Sequence, residues 1–144
     1  MAADRRAEVT WEGNLVNGSG NIDSVGSGAF SDLPVTWASR TESSDGRTSP
    51  EELIAAAHAS CYSMALSHGL NQAGTPPQRL STSAVVTFVP GKGVTTSHIT
   101  VVGIVPGIDE ATFKAAAEGA KENCPVSKAL QGNVAITLDA SLHG

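Results

Sequence analysis

The chain has two cysteines in 144 residues, Cys61 and Cys124, and their separation of 63 residues matches no CxxC redox or zinc signature. No disulfide framework is available, and at this length none is needed: a single domain can bury most of its unfolded surface without staples. The nine Lys and Arg residues are scattered except for Arg5 and Arg6, and the formal net charge is -5, so no basic stripe exists to follow a phosphate backbone and nucleic acid is not an expected partner. No segment reaches the roughly 18 consecutive apolar residues of a membrane span. The N-terminal "MAADRRAEVTWEG" has no apolar run after its basic pair, so no signal peptide or membrane association is expected and the expected compartment is the cytoplasm. There is no repeat, no low-complexity tract and no linker long enough to divide domains, which predicts one domain over residues 1–144. In a reducing cytosol, two cysteines more often mean chemistry, metal binding or packing than a standing bridge.

Hydrophobic residues make up 40% and charged residues 16% of the chain, values that separate it from disordered sequences and predict a compact fold. The first 40 residues alternate in "AEVTWEGN" and "NIDSVGS" around a turn-forming "NGSGN", which predicts two or three antiparallel strands, the last ending in "PVTWASR". A polar loop follows. Ser49, Pro50 and Glu52 then spell a helix start with a capping box, and apolar or small residues on nearly every face from Leu53 to Leu66 predict a helix buried on most sides. Gly69 or Gly74 can end it. "LSTSAVVTFVP" and "TTSHITVVGIVPG" read as a hairpin around "PGKG". Asp109 caps a second helix, which must break near Asn123 because Pro125 disfavours helical backbone at Cys124. Pro125 can restart a short helix in "PVSKAL", and "NVAITLDASL" closes the chain as a strand. The expected class is α+β in the order β-β-β-α-β-β-α-β.

A cysteine inside a helix is more often a small hydrophobic filler than a nucleophile. Cys124 has the stronger local case, since a helix N-terminus favours a thiolate. Three readings of the pair stand at this point: attacking and resolving thiols of a peroxidase, half of a metal site that His58 would help to form, or two unrelated core residues. A thiol that attacks a peroxide needs a cation to hold it ionised and a second thiol to resolve the sulfenic acid. Arg40 is the nearest upstream fixed cation to the helix start; Arg47 competes with it, but lies in a Gly- and Ser-rich loop where a solvated role is expected. Glu51 and Glu52 have an ordinary role at a helix N-terminus, where their charge suits the dipole. Glu51 stands ten residues before Cys61, about 15 Å along an intact helix, so if it acts at this thiol it most simply comes from a second subunit or across a helix distortion.

"SPEELIAAAHASCYSMAL", followed by "NCPVSKAL", resembles the OsmC/Ohr family of thiol-dependent hydroperoxide reductases, and the likeness is to the OsmC branch. "VTWEGNLVNGSG", "VPGIDEATF" and the closing strand extend it over essentially the whole chain. The resemblance implies that Cys61 is the peroxidatic cysteine, attacking the hydroperoxide and becoming a sulfenic acid, and that Cys124 resolves it as an intramolecular disulfide. Arg40 and Glu51 match the family's activating arginine and glutamate. The implied fold is an intertwined homodimer, with curved antiparallel sheets wrapped around long central helices and two sites at the subunit interface. The implied substrates are organic hydroperoxides, with hydrogen peroxide a further candidate. The reductant would be an external dithiol, a lipoyl-bearing protein among the candidates, and no haem, flavin or metal would take part. The resemblance assigns the attack to Cys61, against the local reading that favours Cys124. It also gives a reason for the apolar setting of Cys61: the pocket has to admit the apolar tail of an organic hydroperoxide beside its polar head.

Overall fold

The computed structural model describes residues 2–143 and is a mixed α+β structure with two three-stranded sheets and four helices. The chain divides into two compact units, one reaching to Leu53 and one beginning at Ile54.

In the first unit, β1 (Ala7–Glu12), β2 (Ser19–Val25) and β3 (Ser31–Val35) pair antiparallel in sequence order. Trp11 lies opposite Gly20, where a β-carbon would come within 2.6 Å of the indole ring, so the register depends on a residue with no side chain there. The expected strand through "PVTWASR" stops early. It ends at Val35, and Trp37–Thr41 form a short helix, α1, with Arg40 in its last turn. The cause is local. The Thr36 side chain accepts from the Ser39 backbone N–H at 3.0 Å, while the Ser39 hydroxyl accepts from the Thr36 N–H at 2.9 Å, a reciprocal cap that outweighs the β-propensity of Val35 and Thr36.

Helix α2 (Pro50–Gln72) starts where the sequence predicts. Ser49 accepts from the Glu52 N–H at 3.2 Å, but the capping box is only half made, because the Glu52 carboxylate accepts from the Thr48 hydroxyl instead. The helix ends just before Gly74, which adopts φ 83°, and it passes through Gly69 without a break.

The second unit holds the main core. β4 (Arg79–Val89) and β5 (Gly93–Ile104) form the expected hairpin. After β5 come α3 (Glu110–Asn123), α4 (Pro125–Leu130) and β6 (Ala135–Leu142). β6 returns parallel to β5, so this sheet is mixed and not purely antiparallel as expected; the two intervening helices carry the chain back to the start of β5 before it pairs. His58, Tyr62, Leu66 and Leu70 form the buried stripe of α2, four residues apart, and the apolar three pack with Ile99 and Val101 of β5 and Phe113 and Ala117 of α3. Each fully buried large apolar side chain contributes about 1.5–3 kcal/mol. The expectation that α2 is buried on most sides does not hold for the single chain: Ala56, Ala57, Ser60 and His68 are exposed, and Met64 is 71% exposed.

Gly103 fixes how closely α3 approaches the sheet. A β-carbon there would lie 2.6 Å from two ring atoms of Phe113, and that ring is fully buried in the core. Gly103→Ala is expected to cost about 1–3 kcal/mol through overpacking. Chemical denaturation checks this, and an unchanged midpoint would show that the ring can shift.

Candidate functional site

Cys61 lies near the middle of α2, half-buried, and Cys124 lies in the break between α3 and α4, fully buried; both are free thiols. Cys124 has ψ 123°, outside the helical region, as the following proline requires. Its carbonyl still accepts from the Lys128 N–H at 3.0 Å and starts the new helix. The two cysteines belong to one packed cluster, and their thiols are neighbours. Burial pushes the Cys61 thiol above its ordinary range; the Val126 backbone N–H pulls it down, and the adjacent Cys124 thiol pushes it up again. The net direction is upward, so these neighbours alone leave Cys61 as a neutral thiol at pH 7.

A groove of about 590 Å³ opens beside Cys61, and Met64, Ala65, Ala116, Gly119 and Pro125 are among its walls. Small residues on the facing parts of α2 and α3 make the space, and its lining is predominantly apolar. A ligand with a hydrocarbon tail fits such a surface with its reactive end at the sulfur.

Arg40 and Glu51 form a second pair, within the first unit. The Arg40 Nη2 donates to Glu51 Oε1 at 2.8 Å, and Nε lies 3.1 Å from each carboxylate oxygen. The guanidinium also stands 5.8 Å from the centre of the Trp37 ring. Glu51 is buried, so the carboxylate depends on this partner. Arg47 is exposed on a turn, where its N–H donates to the Ser44 carbonyl, in keeping with a solvated role. Of the four residues singled out in the sequence, the structure thus joins Cys61 to Cys124 and Arg40 to Glu51.

Sequence reasoning treated His58 as a possible metal ligand. Its two ring nitrogens are instead occupied by serine hydroxyls, Nδ1 at 2.7 Å from Ser97 and Nε2 at 2.8 Å from Ser127. Among the described residues no group of three or more His, Cys, Asp or Glu is arranged to hold a metal ion. The signal that could have found this network is the pair of spacings: His58 stands three residues before one cysteine, and Ser127 three after the other.

Residues 43–139 match the family model described as OsmC-like protein. The chain is 39% identical over 145 residues, 99% of each sequence, to Peroxiredoxin OsmC of Escherichia coli (strain K12). The chain belongs to the OsmC-like family. A crystal structure of the organic hydroperoxide resistance protein OsmC from Legionella pneumophila is similar at a TM-score of 0.66 with 26% identity, covering 94% of this chain and 96% of that one. The organic hydroperoxide resistance protein OhrB of Bacillus subtilis shares the fold at a TM-score of 0.68 with 23% identity, covering 94% of this chain and 98% of that one. These OsmC and Ohr structures place the α+β arrangement described above within a known fold.

The Arg40–Glu51 pair makes an asymmetric stability prediction. Arg40→Ala leaves a buried carboxylate without its charged donors and is expected to destabilise by about 1.5–3 kcal/mol. Glu51→Gln keeps an acceptor of the same shape and leaves the positive charge on the more exposed partner, so it should cost less. Denaturant titration of both variants tests the ordering; equal losses would mean that the pair contributes no more than its packing.

Proposed function

We propose that this chain is a thiol-dependent peroxidase that reduces organic hydroperoxides, with hydrogen peroxide as a further substrate. The observation that carries the reading is that the Cys61 thiol, which lines an apolar groove, has the buried Cys124 thiol as its neighbour. Cys61, as the thiolate, attacks the terminal peroxide oxygen; the O–O bond breaks, the alcohol leaves with a proton, and Cys61 becomes a sulfenic acid. Cys124 then attacks the oxidised sulfur, forming the disulfide and releasing water. An external dithiol reduces the disulfide, and a lipoyl-bearing protein is a candidate for that role. The names of the relatives, a peroxiredoxin and organic hydroperoxide resistance proteins, support the same activity.

The thiolate requires a cation, because burial and Cys124 both oppose ionisation of Cys61. Arg40, oriented by Glu51, supplies it in this reading. Helix α2 runs unbroken over 23 residues, which supports a route to Cys61 from a second subunit over one across a helix distortion. In this reading the pair comes from a second copy of the chain, in an intertwined homodimer whose sites form at the subunit interface, with residues 1–144 of each chain as a single domain. The exposed face of α2 with Met64, and the exposed Val9 and Trp11 on one face of β1, support such an association. Among the described residues no helix is long and apolar enough to cross a membrane. Two free thiols suit the reducing cytoplasm, the compartment proposed here.

The first test counts free thiols before and after one equivalent of an organic hydroperoxide. The wild type should lose both, Cys124→Ser should lose Cys61 alone, and Cys61→Ser should keep Cys124 reduced. Survival of both wild-type thiols, or oxidation of Cys124 without Cys61, removes the catalytic assignment. The cation makes a separate prediction. In the wild type, Cys61 alkylation should follow a titration below the free-thiol value of about 8.5, and in Arg40→Ala it should move above that value. Equal midpoints in the two proteins would exclude Arg40 as the activating charge.

A further inference from the structure

Helix α4 has six residues, and its N-cap Cys124 makes no side-chain capping hydrogen bond. So short a helix depends on tertiary anchors for its position. One anchor is apolar, with Val126 packed against the core. The other is polar: the buried Ser127 hydroxyl lies 2.8 Å from Nε2 of His58, whose Nδ1 is held 2.7 Å from the Ser97 hydroxyl on β5. His58 and Cys61 are one turn apart on α2, and Cys124 and Ser127 have the same spacing at the start of α4. Two rungs therefore join these segments, imidazole to hydroxyl and thiol to thiol. The ring is fully buried, and burial lowers its proton affinity, so at pH 7 it is neutral: one nitrogen donates, the other accepts, and the serine hydroxyls rotate to match.

We propose that His58 is a positioning residue for disulfide closure, its hydrogen bond to Ser127 holding α4 so that the Cys124 sulfur stays within reach of oxidised Cys61. The inference rests on the peroxidase reading and concerns a step within it. Two reactions compete for the Cys61 sulfenic acid. In one, the Cys124 thiol attacks; the S–S bond forms, the S–O bond breaks, and the hydroxyl leaves with the thiol proton as water. In the other, a second hydroperoxide oxidises the same sulfur to the sulfinic acid and is itself reduced to the alcohol. A loosened α4 slows the first reaction and leaves the second unchanged.

Ser127→Ala removes one hydroxyl from the rung and keeps both cysteines and His58. Ser63→Ala is the comparison, since it deletes a hydroxyl of α2 two residues past Cys61 whose partners are Thr82 of β4 at 2.7 Å and the Ala59 carbonyl of its own helix at 2.8 Å. Rapid mixing with cumene hydroperoxide, acid quench and mass spectrometry resolve sulfenic acid, disulfide and sulfinic acid. Ser127→Ala is expected to close the disulfide from sulfenic acid roughly tenfold more slowly, as a small misplacement of reacting groups allows, and to accumulate sulfinic acid under excess peroxide; the formation of sulfenic acid is timed separately, because the Val126 N–H on the same helix also faces Cys61. Ser63→Ala should partition like the wild type. Closure in Ser127→Ala as fast as in the wild type, or an equal slowing in Ser63→Ala, overturns the positioning role while the peroxidase reading stands. Failure of the wild type to form the disulfide at all overturns both.

Discussion

Ionising a thiol in apolar surroundings is the constraint that the proposed reaction sets on the rest of this molecule. Cys61 lines an apolar groove, and that setting opposes the thiolate that the proposed chemistry needs. A single backbone donor, the Val126 N–H, works in the favourable direction and does not offset the burial. The proposed reaction therefore calls for a fixed cation, the role given there to Arg40. A flexible one would lose rotamer entropy at each encounter, whereas Arg40 already donates to both carboxylate oxygens of Glu51 and lies over the face of Trp37. The buried carboxylate thus orients the cation as well as neutralising it.

The composition of α2 reflects three demands on one helix. Its first turn presents Glu51 and Glu52 where the helix dipole favours acidic side chains, and Glu51 is also directed to Arg40. Its middle carries Cys61 among alanines and serines, which keep helix propensity high while leaving open volume beside the sulfur. Its buried stripe supplies the large side chains, and Tyr62 ties the helix to α3 by donating its hydroxyl hydrogen to the Ala117 carbonyl at 2.9 Å. Because this hydroxyl is fully buried and its partner is a backbone carbonyl, the tie fixes the α2–α3 separation that defines the groove.

The parts legible in the sequence were those whose signals are local. Ser49-Pro50 announced α2, Asp109 announced α3, and the alternation around "PGKG" announced β4 and β5. Helix α1 was missed because its five residues carry too little periodicity to compete with a β-branched approach; its Thr36–Ser39 cap is visible only once a helix is suspected. The parallel return of β6 depends on where α3 and α4 deliver the chain, and strand alternation is the same in either direction. The cysteine pair came from motif resemblance and not from spacing. His58 was weighed by residue type, as part of a metal site with no further ligands at hand, because nothing in its own neighbourhood names hydroxyls 39 and 69 residues away as its partners.

Pro125 links local sterics to the reaction. By excluding helical backbone at Cys124, it ends α3 and leaves α4 as a separate element, bounded at its far end by Gly132 at φ 91°. In the proposed reaction the two sulfurs must pass from contact to a bond of about 2.05 Å, and some segment has to move. An uninterrupted helix through Cys124 would spread that motion over the Phe113 face of the core. With non-helical backbone at both ends, α4 can shift as a unit while α3 and β6 keep their packing. Its travel is then limited by Val126 and by the Ser127–His58 bond, so the break that gives Cys124 its freedom also makes the anchor on Ser127 necessary.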